Sequence, residues 1–411
     1  MSEELKIRKD PIGGWPAVHL SNSLITLSVV PSIGGRVMDL RLGETNVFYG
    51  NPRHYGQKAI SDAQGIDIGL WRNYGGSKVW PAPQGWSGDQ EWPGPPDPVL
   101  DSGPYDCTTS LNGEVASVHL KSQHDEYSGV TLQRDIKIRP GTSVVHLHHR
   151  MHNTSKRPVR WSIWQVTQVD AAKGLEIFIP AKGFHQTLGD EPFRSIDFDI
   201  SGTLLHLGYK NQVAKFAVEA NAGWFASLDR ARGVVLVETF PISRGATYPD
   251  GAATAFWMSG AGTFTIHGDC IDMTDGANGC DPHVETEVMG PLTNLEPAES
   301  CELRTAWQLA AISAEEIVSV NHCGAVGQKL AVETSRVKGS FGVFCTADVE
   351  LIAFDRASQI AGTFGLGKVS PLQPVVLDEK ISLPPSAVRC SLMLFDEHKN
   401  RLGILDHVQV R

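Results

Sequence analysis

The sequence predicts an all-β fold, and three observations carry that expectation. Period-2 stretches recur along all 411 residues, amphipathic helical patterns are nearly missing, and turn residues are abundant. The chain holds 41 Gly and 24 Pro without a collagen period or a polar tract, which fits many turns between short strands. Residues 24–30 are β-rich and run into a Pro-Ser-Ile-Gly-Gly turn. Residues 144–149, 234–240, 263–267 and 284–288 follow as further strands. The one short helical turn expected lies over 314–320, with Ser313 as its N-cap. No short repeat of the propeller or solenoid kind is present.

The organisation reads as one large domain over 1–312 and a smaller one over 313–411. Residues 307–312 look like a closing strand, and all ten Trp precede the boundary. The tail carries strand patterns at 341–344, 349–354, 392–395 and 405–410, which predict a small C-terminal β-sandwich.

Charge and cysteine usage narrow the function classes. A formal net charge of −10 and the lack of a dense basic block argue against nucleic acid. The first ten residues lack the apolar core of a signal peptide, and no run reaches 18 apolar residues, so no membrane partner is expected. The seven Cys are scattered and include no Cys-x-x-Cys pair. They read as reduced thiols of a cytoplasmic protein.

The most informative stretch is 71–96. Trp71, Trp80, Trp86 and Trp92 lie there among five Pro, so the segment is expected to be an ordered loop system. Trp71, Trp80 and Trp86, with Trp164, offer faces on which a sugar ring can stack. Asn73, Lys78, Gln84 and Gln165 offer hydrogen bonds to hydroxyls or to a sugar carboxylate. The competing reading of the segment is a satellite hydrophobic cluster that pins a long loop.

Glu285 and Glu287 form the second constellation. Residues i and i+2 of a strand share one face about 6.5–7 Å apart, so Val284, Thr286 and Val288 take the other face, toward the core. Two close carboxylates raise one another's proton affinity, which suits acid or base work, and their spacing overlaps that of glycosidase carboxylates. An ordinary solvent-facing charged strand is the alternative. His146, His148, His149 and His152 crowd one segment, and Asp269, Asp272, Asp275 and Asp281 another. His146 and His148 share a face that could suit a metal but have no matching carboxylate, and the Asp loop could hold Ca²⁺ but lacks the EF-hand pattern, so surface or packing roles are expected and no metal is assigned. No organic cofactor is implied, since no Gly-x-Gly-x-x-Gly or Walker loop occurs.

Three segments together resemble the galactose mutarotase-like (aldose 1-epimerase-like) superfamily, and most closely an uncharacterised bacterial branch of it. They are residues 30–37 (Val-Pro-Ser-Ile-Gly-Gly-Arg-Val), 73–80 (Asn-Tyr-Gly-Gly-Ser-Lys-Val-Trp) and 284–291 (Val-Glu-Thr-Glu-Val-Met-Gly-Pro). The likeness covers roughly residues 15–312. It implies a β-supersandwich whose concave face holds a sugar between a His acid and a Glu base. Glu285 takes the base position. By count, Trp164 stands where the acid His is expected and Tyr74 where a second His is expected. An indole donates hydrogen bonds but supplies no proton at neutral pH. The acid would then come from Tyr74, Lys78, His185 or His283. The resemblance implies an epimerase-like carbohydrate-active protein. A non-catalytic sugar-binding or regulatory module is the second reading, and a glycan hydrolase or lyase using Glu285 and Glu287 the third. The partner in each case is a sugar or sugar acid.

Overall fold

In the computed structural model, residues 4–58, 70–85, 88, 90–172, 174–266, 269–273, 281–333 and 336–410 are described. Their regular structure is almost entirely antiparallel strand, with short 3-10 turns at Pro52–His54 and Pro249–Gly251 and no α-helix. No helix among them is long and apolar enough to cross a membrane.

Two large sheets face one another. The front sheet runs through Val18–Ser21, Ile25–Val30 and Arg36–Leu42, and joins Ser77–Ala82 by one pairing, Val37 with Ser77. It continues through Val159–Asp170, His283–Met289, Thr254–Ser259 and Ala214–Ala220. The back sheet runs through Asp106–Leu111, Ala116–Lys121, Val130–Ile138, Val144–Asn153, Ser300–Ala311, Val234–Thr239 and Trp224–Asp229. Leu175–Leu188 belongs to both. Its first residues pair with the back sheet, its last ones with Ala214–Ala220, and irregular register at Ala181/Gly183 marks the passage.

Alternation sets the register. Val284, Thr286 and Val288 point between the sheets and are fully buried there, as are Val79, Ile163 and Phe256. A slip of one residue would put Glu285 and Glu287 into that core and lift the valines out, so this register is strongly specified.

The expected loop at 71–96 is corrected in part. Ser77–Ala82 is a strand, paired along one side with Val159–Asp170. Pro81 is tolerated because the strand's other side carries only the Val37–Ser77 pairing, so no ladder donor is lost. Gly75 and Gly76 make the approach possible. Both have positive φ, and a Cβ would meet Tyr49 O at 2.4 Å or Val37 O at 2.4 Å.

After Ser300–Ala311 the chain forms two four-stranded sheets. They enclose a separate apolar cluster that includes Phe341, Leu351 and Leu392. A further cluster, with Ala310, Ile317, Ala325 and Phe344, joins this sandwich to the back sheet. The helical turn expected at 314–320 is not formed. Ile317 is drawn into that joint, Val318 N–H bonds Val326 O at 2.8 Å, and Ser319–Asn321 is a strand.

Candidate functional site

A cavity of about 430 Å³ opens on the front sheet's outer face. Cross-strand register dictates its floor, because directly opposed residues share a face. Trp164 lies between Trp80 and Met289, Glu285 between Gln168 and Trp257, and Trp257 beside Lys215. His283, Glu285, Glu287 and Met289 are alternate residues of one strand and all line the cavity.

The two glutamates have opposite surroundings. Glu285 Oε1 accepts from Lys78 Nζ at 2.7 Å and from Gln168 Nε2 at 2.6 Å. Burial pushes its carboxyl upward, but Lys78, His283 and these hydrogen bonds outweigh it and hold Glu285 below the usual carboxylate range. Glu287 Oε2 accepts from Trp164 Nε1 at 3.0 Å and lies 3.0 Å from Lys215 Nζ. Burial dominates there, and the Glu285 charge adds to it, so Glu287 is pushed up to about 7 despite Lys215. Burial pulls Lys78 down. Burial acts the same way on Lys215, but Glu287, Asp250 and Glu285 raise it overall. Asp250, 3.7 Å from Lys215, sits at φ 52 in the turn that caps this wall, a left-handed conformation uncommon outside Gly, Asn and Asp.

Aromatic groups close over the pair. Trp80 and Trp164 meet edge to face at 5.4 Å, and Trp80 also tilts against Trp92 at 5.2 Å. Lys78 Nζ lies 4.4 Å from the Trp80 ring centre and 5.4 Å from that of Trp71, and Lys215 Nζ lies 4.8 Å from that of Trp164. His283 completes the row. Its Nδ1 is 2.8 Å from the Asp281 carbonyl, which can only accept, so Nδ1 carries the proton and Nε2 is an acceptor. Burial lowers His283 to about 4. Tyr49 stacks on its ring at 4.4 Å and donates to Asp281 at 3.1 Å.

The structure therefore brings together Glu285, Glu287, Lys78, Trp71, Asn73, Trp80, Gln84 and Trp164, and it excludes others. Gln165 points between the sheets, where its Oε1 accepts from Thr305 at 2.6 Å and pairs with His149 Nε2 at 2.8 Å, and its amide donates to Glu238. Successive residues on a strand face opposite ways, so Gln165 cannot join Trp164 in the cavity. Tyr74 packs against Trp15 and Met38, with Arg36 over its ring at 5.5 Å, outside the cavity lining. Burial raises its phenol, which opposes a role as proton donor. His185 is exposed, opposite Ala217, and does not line the cavity. His283, considered above as an acid, has its proton turned away from the cavity. Trp86 and Asp275 lie outside the described residues. Among the described residues no group of three His, Cys, Asp or Glu could hold a metal ion. His148 pairs with Glu302, and Asp281 with Arg53.

Lys215, Asp250 and Trp257 were not singled out from the sequence. A lone Lys inside the apolar run at 214–218 is a signal, but its partner Glu287 is 72 positions away.

No curated protein matches the chain. Among solved structures it is similar to the Slr1438 protein from Synechocystis sp. PCC 6803, with 15% identity, a TM-score of 0.47, and coverage of 74% of this chain and 97% of that one. It is similar to a galactose mutarotase-like protein from Clostridium acetobutylicum, with 10% identity, a TM-score of 0.48, and coverage of 75% and 100%. A galactose mutarotase-like protein from Lactobacillus casei follows at 11%, 0.44, 71% and 99%. These likenesses, at 10–15% identity, are of fold alone. The model of a domain of unknown function, DUF4380, matches residues 16–310, and the chain belongs to that family.

Proposed function

We propose that the cavity binds a sugar and moves protons at its anomeric centre, with Glu285 as base and Glu287 as acid. The observation that carries this reading is the split between two carboxyls on one strand face. Glu285 is held ionised by Lys78 and Gln168, while Glu287 is raised to about 7. Environments that push paired titratable groups apart set up acid and base roles. Glu287 also supplies what Trp164 cannot, and the Trp164 indole holds it in place.

In this scheme Glu285 takes the proton of the anomeric hydroxyl while Glu287 gives its proton to the ring oxygen. The bond between ring oxygen and anomeric carbon breaks, leaving an open-chain aldehyde. Rotation and the reverse transfers close the ring as the other anomer, and both carboxyls regain their starting states. The aromatic walls suit the apolar faces of a pyranose. One observation favours a binding role instead: the low proton affinity of Glu285 makes it a better fixed acceptor than a base.

Exchange NMR over a panel of reducing sugars tests the reading, with Trp fluorescence as the binding signal. Faster anomer interchange for at least one sugar is expected. Binding without any interchange would leave the binding module, and no binding by any sugar would sink both.

A further inference from the structure

The cavity is longer than the acid–base pair requires. Six residue steps separate Met289 from His283 along its floor, and at about 3.3 Å per residue they span about 20 Å. Glu285 and Glu287 occupy the middle of that length. Beyond Glu285 the floor continues to His283, with Ser259 opposite.

A polar wall stands over that far end. Asn51 N–H bonds Tyr74 O at 3.0 Å, Arg53 reaches Asp281 at 3.2 Å, and Tyr49 stacks on His283. These contacts tie the segment after Asn73 to residues 51–53, and those in turn to Asp281 ahead of His283. Asn73 lines the cavity, is 9% exposed, and keeps its buried Oδ1 without a hydrogen-bond partner. His54 Nδ1, on the same wall, is likewise buried and unpartnered. Buried acceptors are normally satisfied, and leaving one bare is costly. Asn73 Oδ1 and His283 Nε2 give this end acceptors suited to hydroxyl donors.

Charge then selects among ligands. Three lining residues carry carboxyl groups (Asp250, Glu285, Glu287), and two are permanent cations (Arg53, Lys215). Both cations already have carboxylate partners: Arg53 has Asp281, and Lys215 has Asp250 at 3.7 Å, with the Glu287 carboxyl 3.0 Å away. Lys78, beneath, is taken by Glu285. Among the described lining residues no cation is left over for a sugar carboxylate or phosphate.

We infer that the cavity takes a neutral saccharide of at least two rings, one over Glu285 and Glu287 and the next against His283, with a hydroxyl donating to Asn73 Oδ1. This inference rests on the sugar-binding reading above. It specifies uncharged disaccharides or longer chains over monosaccharides and uronic acids.

Fluorescence titration of the full chain with glucose, galactose, maltose, cellobiose, lactose, glucuronate and galacturonate tests it. At least one disaccharide should bind about tenfold or more tightly than its component monosaccharides, the worth of one or two added hydrogen bonds. The uronates should bind more weakly than the parent hexoses. Asn73→Ala should weaken the disaccharide about tenfold and the monosaccharide less than twofold. Asn73→Asp, which keeps shape and acceptor, should retain the disaccharide preference, with circular dichroism checking the fold of each variant. Monosaccharides binding as well as disaccharides would overturn this inference alone, as would equal losses for both in Asn73→Ala or tighter uronates. Failure of every sugar to bind would overturn the sugar reading together with it. The disaccharide-to-monosaccharide ratio of the parent needs no variant.

Discussion

Val159–Asp170 has a buried polar group on each face, and the two behave differently. On the outer face, Trp164 and Gln168 meet Glu287 and Glu285 beside an open cavity. On the inner face, Gln165 meets His149, Thr305 and Glu238, and Glu238 also accepts from Trp307 Nε1 at 3.2 Å. Burial raises Glu238 to about 8, further than Glu287, and lowers His149 to about 3. A raised carboxyl is thus no sign of a site by itself. Glu238 has its partners inside the sandwich and does not line the cavity, so it acts as a structural tie. Glu287 has one oxygen anchored and a cavity in front of it.

The largest effect expected from this difference is on turnover. Glu287→Gln keeps the shape and the bond from Trp164 but removes the proton donor. Interchange of a bound sugar should fall about 10²–10⁴-fold with affinity changed far less. Glu285→Gln should lower turnover by a similar factor. Parent rates in both, measured by exchange NMR, would break the assignment of the pair. Stability comes next, and the faces should trade places. Glu238→Ala strands Gln165 and the Trp307 indole, at a cost of about 2–4 kcal/mol in urea unfolding. Sugar affinity should stay within twofold. If Glu238→Ala instead abolishes binding in a folded protein, the inner cluster is coupled to the cavity and the contrast fails.

Smaller still are two pH trends. Glu287 must hold its proton to act as acid, so the rate should fall as pH rises above about 7. Stability should fall as pH rises from the ordinary glutamate range to about 8, overlapping the rate window at pH 7–8. Glu238 keeps its proton to about 8 when folded and loses it near the ordinary glutamate range when unfolded. The folded state then binds more protons than the unfolded one, and stability drops as pH rises. Below about 7 the buried neutral His149 and His283 work in the opposite sense, so pH 7–8 isolates the glutamates. Glu238→Gln should flatten the stability curve there and leave the rate profile in place.

Much of this contrast was legible in single-strand patterns. Alternation at 284–288 assigns Glu285 and Glu287 to one face and the valines to the core, and the register agrees. The aromatic cluster at 71–92 supplies Trp71 and Trp80 to the cavity lining. The same rule forbids Trp164 and Gln165 from sharing a pocket, once 159–170 counts as a strand, so that misplacement was avoidable. Other parts lie beyond one strand. Lys215 reaches Glu287 diagonally across the strand Thr254–Ser259, whose Trp257 lies beside Lys215 and Ala255 beside Glu287, an arrangement that local sequence does not encode. The strand at Ser77–Ala82 was hidden by Pro81, whose tolerance depends on a neighbour's absence along one side.

The smallest effect expected is at Tyr74, and it tests the boundary of the site. Tyr74 is adjacent in sequence to Asn73, and the resemblance places it where a family His is expected. The two side chains nevertheless diverge: Asn73 lines the cavity, while Tyr74 packs on Trp15 at 5.6 Å under Arg36. Tyr74→Phe keeps that ring contact and removes only a phenol that burial already holds protonated. Turnover and sugar affinity should change less than twofold, and stability by about 1 kcal/mol or less. Asn73→Ala, one residue away, should change disaccharide affinity about tenfold. A loss of turnover in Tyr74→Phe comparable to that of Glu287→Gln would move the acid from the strand pair to the phenol. The cavity would then have to extend behind Gly75, where the backbone contacts with Tyr49 and Gly50 now leave no room for a side chain.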